Sequence, residues 1–220
     1  MSKKYGRYRK SLRLKNKKLV KKYPWLKPFY VWSGKPLKDY DYSWINWGWI
    51  HGWDLAFGDM YMKELGEAVK DQKDFQILEI KEKWGSCRCY TSGTTKEANE
   101  IIDKYEFISQ GICCQCGKPD VPMIGTGWIS PECFDCFYKY HKEPGQTKDD
   151  LWPLYKELAE KPNEDGTWII PNKRTVKHWD KDGEHIEEYD ISDTLKAIRD
   201  RYKKRCEHYE KRISRSRRAT

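Results

Sequence analysis

Two Cys-x-x-Cys pairs, Cys113–Cys116 and Cys133–Cys136, stand sixteen residues apart and constrain this chain more than any other feature. A two-residue spacer lets a tight turn aim both sulfurs at one tetrahedral centre, about 2.3 Å from a metal. Two such turns supply four thiolates and leave no position open for water, so the spacing predicts a structural Zn²⁺ rather than a catalytic one. Gly117 suits the turn beyond the second ligand. Cys114, only two residues from Cys116, is expected to point elsewhere as a free thiol. Metal ligation should then stabilise the local fold, joining the helix that ends near Ser109 to the segment around Phe137.

The remaining cysteines fit this reading. No run approaches the eighteen or so apolar residues that a membrane span requires, and the N-terminus has charge without a signal peptide's apolar stretch. The chain is therefore expected in the cytoplasm, where eight cysteines are better read as metal ligands and core residues than as a disulfide framework. Cys87 and Cys89 alternate along a predicted strand and are read as core.

Charge is distributed unevenly. Residues 1–38 hold fourteen Lys and Arg and no acid, and residues 199–218 hold ten against Asp200, Glu207 and Glu210. With a total of +9, the stretch 39–198 carries −12. A basic arm (1–22), a zinc-containing body (23–190) and a basic amphipathic helix with its tail (191–220) are the expected divisions. Basic ends flanking an acidic body point to a polyanion, most simply nucleic acid.

Patterning predicts an α+β fold with two hairpins and about four helices. The arm has too few apolar positions for a core helix and is expected to be disordered or partly helical, with Leu12, Leu19 and Val20 as a short apolar edge. Residues 25–42, rich in Pro and Gly, should be irregular. Trp53, Phe57, Met60, Leu65 and Val69 predict a helix over about 53–70. QILEIKEK and SCRCYT predict a hairpin turning near Gly85. Thr94 and Glu97 read as a capping box before a helix with Ile101, Ile102, Tyr105 and Ile108 on its buried stripe. A helix over about 148–160, a second hairpin over 167–190 and a last helix capped by Ser192 complete the reading.

The order LVKKYPWLKP, WDLAFGDMYMKELGEAV, QILEIKEKWGSCRCY, CCQCGKP and GWISPECFDC resembles a family of uncharacterised proteins encoded by bacteriophages and prophages. The likeness covers about residues 18–140. Lys81, Glu82, Lys83, Gly85 and Arg88 match the family's hairpin motif. Cys113, Cys116, Gly117, Lys118, Pro119, Gly127, Trp128, Ile129, Cys133 and Cys136 match its knuckles. Cys87 stands where the family tends to have an aliphatic residue, in keeping with a core role. The resemblance implies phage origin, a bacterial host cytoplasm and zinc, and brings no biochemical activity with it.

The leading functional reading is a non-catalytic nucleic-acid-binding or nucleoprotein-associated protein, scaffolded by zinc. Its contacts are assigned to Lys3, Lys4, Arg7, Arg9, Lys10, Arg13, Lys15, Lys17 and Lys18, and to Arg205, Lys211, Arg212, Arg215, Arg217 and Arg218. Tyr5, Tyr8, Tyr23, Trp25, Tyr30 and Trp32 are interleaved with them; such aromatics can stack on bases, but Trp25 and Trp32 are expected to pack on the body. A protein-binding module acting on a host or phage complex is the alternative, motivated by Trp44, Trp47, Trp49 and Trp53. A metal-dependent nuclease built on Asp74, Glu79 and Lys81 is the second alternative. Catalytic residues are otherwise not indicated.

Overall fold

The computed structural model describes residues 3–30, 32–43, 46–48, 50–125, 127–164, 166–180 and 183–218; among these, the side chains of 3–6, 8, 40, 43, 46, 47, 178–180, 185 and 215–218 lie outside the description. Trp44 and Trp49 fall outside the described residues. In chain order the elements are α1 (Lys3–Lys22), β1 (Asn46–Trp47), α2 (His51–Trp53), α3 (Asp59–Ala68), β2 (Gln76–Lys83), β3 (Ser86–Ser92) and α4 (Lys96–Ser109). There follow β4 (Met123–Gly125), β5 (Ile129–Pro131), α5 (Phe134–His141), α6 (Lys148–Leu158), β6 (Lys173–Asp180), β7 (Gly183–Asp190) and α7 (Ser192–Arg218). The fold is α+β, as predicted, with a four-cysteine cluster. No described helix is long and apolar enough to cross a membrane.

The chain divides into two compact units, residues 1–50 with 58–106, and residues 51–57 with 107–220. In the first, the arm expected to be disordered or partly helical is helical over twenty residues, as α1. Its inward stripe is Leu12, Asn16, Leu19, Val20 and Tyr23, at helical spacing. Asn16 is 1% exposed and its carboxamide donates to the Tyr42 carbonyl. The stripe is too short to mark a helix on its own; the contact with the 3₁₀ turn Asp39–Ser43 completes it. Tyr23 leaves helical geometry because it precedes Pro24, and its hydroxyl donates to Asp59 at 2.8 Å.

β2 lies between β1, which is parallel to it, and β3, which is antiparallel. The predicted hairpin forms, with Trp84 and Gly85 at positive φ in its turn. A bulge between Ile77 and Glu79 shifts the alternation, so Ile77 and Ile80 are both buried although three apart. Tyr61 of α3 stacks on Tyr105 of α4, with centroids 4.6 Å apart. Cys87 of β3 is buried, as read from sequence. Burial raises its thiol pKa and pushes that of Cys89 up to about 12, which keeps both protonated at neutral pH.

The helix predicted over 53–70 begins as α2 in the second unit and widens into a π-helical turn at Asp54–Gly58; α3 follows in the first unit. β4 and β5 form a short antiparallel hairpin between the two cysteine pairs. At three residues each they are too short for alternation to register. α6 starts on a Thr147–Asp150 capping box. It packs Leu151 and Tyr155 against Ile124 and Phe137. The second predicted hairpin is β6–β7, with residues 181–182 of its turn outside the described residues. At the start of α7 the Ser192 amide donates to the Asp190 carboxylate at 2.8 Å.

Candidate metal centre

Every part of this site belongs to the second unit. The first cysteine turn is closed by its own backbone: the Cys113 amide donates to the Lys118 carbonyl and the Gly117 amide to the Cys113 carbonyl, each at 2.8 Å. Gly117 has φ of 71°, the left-handed geometry the turn needs. The second turn starts α5. Cys133 precedes the helix in extended geometry, and Cys136 lies in its first turn. The Cys114 amide donates to the Pro131 carbonyl at 2.9 Å, joining the first turn to β5 just before the second.

This framework brings Cys113, Cys116, Cys133 and Cys136 together, with all four sulfurs within 4.8 Å of one another. The Cys116 and Cys133 sulfurs are 3.7 Å apart. That is far beyond a disulfide bond of about 2.05 Å. It matches the edge of roughly 3.8 Å expected of a thiolate tetrahedron around a metal about 2.3 Å from each sulfur. The four predicted ligands are thus positioned to hold one metal ion. Hydrogen bonds among the four sulfurs lower the Cys113 thiol and raise those of Cys133 and Cys136. A metal that binds all four as thiolates must release the thiol protons.

Cys114 is outside the tetrad, as its place in the turn predicts. It is buried, and burial pushes its thiol up to about 12. Its carbonyl accepts from Gly52 at 2.9 Å. Next to Gly52, Trp53 is buried and its indole N–H donates to the Ile112 carbonyl at 3.0 Å. Trp53 therefore supports the cysteine turn from behind. Trp53 is thus core, as its place on the predicted helix stripe implies, rather than part of a binding surface; its partner, 59 residues along the chain, is a backbone carbonyl that leaves no residue-type signal.

α7 supplies two guanidinium groups to the same structure. Arg199 forms a fork on Asp120, with Nε and Nη2 each 2.8 Å from a carboxylate oxygen. Asp120, at φ of 58°, also accepts the Ile170 amide at 3.0 Å. Arg205 donates from Nη2 to the Cys116 carbonyl at 2.7 Å. Its Nη1 is buried without a hydrogen-bond partner among the described residues. Arg205, assigned from sequence to nucleic acid, is thus placed on the cysteine turn.

The other sequence-assigned cations separate by environment. Arg7, Lys10, Lys15, Lys17 and Lys18 of α1 are exposed, and Arg9 and Arg13 are half-buried. Lys17 pairs with Asp39 at 2.5 Å. Lys211 and Arg212 of α7 are exposed. The side chains of Lys3, Lys4, Arg215, Arg217 and Arg218 lie outside those described, as do those of Tyr5, Tyr8 and Trp47. Trp25 packs on Phe75, as expected, whereas Trp32 is wholly exposed rather than packed on the body. Glu79, weighed for a nuclease, is ion-paired with Lys81 two residues along β2. Among the described residues the tetrad is the one convergent group of three or more His, Cys, Asp or Glu side chains.

Compared with protein-family models, curated proteins and solved structures, the chain matches none.

Proposed function

We propose that this chain is a non-catalytic nucleic-acid-binding protein of phage type, acting in a bacterial cytoplasm, in which one structural Zn²⁺ organises the second unit and basic helices meet phosphate. Four thiolates select zinc among the common cellular divalent ions. The observation that carries the nucleic-acid reading is α1: Arg7, Lys10, Lys15, Lys18 and Lys21 are exposed on a helix with no acidic residue. Such a surface releases counterions on meeting phosphate, which makes affinity salt-dependent and nearly indifferent to base sequence. Phage origin rests on the hairpin and knuckle motifs alone.

Deleting residues 1–22 would not isolate charge from structure, because Asn16 is buried in that segment. The test is therefore Lys10→Glu, Lys15→Glu, Lys18→Glu and Lys21→Glu together, on exposed positions. If the protein engages about six phosphates, log affinity on duplex DNA falls with log salt at a slope of roughly −5. Removing four contacts should reduce that slope by about 3 to 4 and leave the helix folded. An unchanged affinity and slope would refute the reading. The alternative, a protein-binding module, draws on Trp128 and Ile129, exposed on the β4–β5 hairpin; a stable complex formed without nucleic acid would favour it.

A further inference from the structure

Trp32 is 100% exposed, yet the loop that carries it is firmly built. The Tyr30 amide donates to the Lys35 carbonyl at 2.8 Å, and the Ser33 and Gly34 amides both donate to the Tyr30 carbonyl, at 3.1 and 2.8 Å. Gly34, at φ of 64°, makes the tight return possible. Phe29 bridges Pro36, and its amide donates to the Gln76 side chain at 2.8 Å, tying the loop's base to β2. The Tyr30 hydroxyl donates to Asp41 at 2.7 Å. These bonds hold the backbone at Tyr30 and at Ser33–Lys35, while the Trp32 indole is wholly exposed. An indole left in water adds nothing to the stability of the fold, so the packing of the loop gives no account of it.

The surroundings state what would meet this ring. Lys27, Lys35 and Lys38 are exposed on the loop and its flanks, which contain no acid between them. The first acids beyond, Asp39 and Asp41, are engaged by Lys17 and by the Tyr30 hydroxyl. Half-exposed Tyr30 and Pro28, Leu37, Gln76 and Leu78 line a recess of about 410 Å³ at the loop's base, together with Asp41, whose carboxylate accepts the Tyr30 hydroxyl. A flat π-surface among lysines, beside a partly apolar recess, has the chemistry of a base-stacking platform. Duplex DNA hides its base faces within the stack, whereas a single strand exposes them. A membrane surface would also attract lysines, but stable insertion draws on a larger apolar area than one indole flanked by Ser33 and Gly34.

We infer that the Trp32 loop is a stacking site for an unpaired base, and hence that the ligand is single-stranded rather than duplex nucleic acid. This rests on the nucleic-acid reading above and narrows it. The lysines hold the backbone while the indole takes one base, with little preference among bases because each offers a π-face.

The experiment compares full-length wild type, Trp32→Ala and Trp32→Tyr on fifteen-nucleotide dT and rU strands, on a fifteen-base-pair duplex, and on vesicles of phosphatidylserine and phosphatidylcholine. Trp32→Ala should weaken single-strand affinity by about tenfold or more. Duplex affinity should change by less than about twofold, and the salt slope should stay the same because no phosphate contact is lost. Trp32→Tyr should restore most of the single-strand affinity. Equal single-strand binding by wild type and Trp32→Ala would overturn the inference while leaving the charge-based reading intact. A loss confined to vesicles would overturn it in favour of a membrane. Failure of the wild type to bind either strand or duplex would overturn both.

Discussion

Arg205 of α7 donates to the backbone carbonyl of Cys116 at 2.7 Å, so the last helix holds a metal-ligand turn by its main chain and brings a positive charge beside four sulfurs. Four thiolates around a divalent cation leave a net charge of −2, and a guanidinium beside them offsets part of it. Arg199, six residues earlier, fastens the same helix to Asp120, just beyond the turn.

Arg205→Ala should therefore cost about 2 kcal/mol, the range of a hydrogen bond to a charged group, and speed metal loss to a chelator. Arg205→Lys should recover only part, since an ammonium lacks the planar fork. Lys203→Ala, on an exposed position of the same helix, should change neither. Thermal unfolding and chelator competition measure both effects. An Arg205→Ala protein as stable and as chelator-resistant as wild type would show that α7 does not hold the turn.

Gly52 is the close-packing counterpart. A Cβ added there would lie 2.1 Å from the Cys113 carbonyl oxygen and 2.6 Å from the Cys114 carbonyl, all of it backbone. Gly52→Ala should cost about 2 kcal/mol or more, as overpacking against rigid structure does, and should loosen the metal. At Gly125 an added Cβ meets only the Leu158 carbonyl oxygen, at 4.0 Å. Gly125→Ala should be close to neutral in the same denaturant titration.

The start of α4 gives a sharper test. The hydroxyl of Thr95 accepts the Ala98 amide at 3.1 Å, whereas Thr94 bonds to the Asn99 side chain. The cap is thus one residue later than the Thr94–Glu97 pattern predicts. Thr95→Ala should cost about 1 kcal/mol, and Thr94→Ala distinctly less. The reverse order in urea denaturation would return the cap to Thr94.

That one-residue slip illustrates what the sequence makes legible. Thr94 and Thr95 are chemically the same, so pattern alone places a helix start without choosing the hydroxyl. The tetrad was legible in full because ligand spacing is a local constraint that residue type reports directly. The hairpins at β2–β3 and β6–β7 were legible because alternation and turn glycines persist over enough residues. α1 was hidden because its stripe passes through Asn16, a polar residue that is buried and bonds to the Tyr42 carbonyl across the chain. The supports at Gly52, Trp53 and Arg205 were hidden for a related reason. Each acts on a backbone carbonyl or through the absence of a side chain, and such partners carry no signature in the residue they touch.

The central claim is that Cys113, Cys116, Cys133 and Cys136 together bind one zinc ion that stabilises the protein. Elemental analysis of protein purified without added chelator, with thermal unfolding on the same samples, tests it most directly. About one zinc per chain is expected in wild type and in Cys114→Ser, whereas Cys116→Ser and Cys133→Ser should each lose metal and melt at lower temperature. Wild-type protein without bound metal, or a Cys133→Ser protein with undiminished zinc and an unchanged melting temperature, would contradict it.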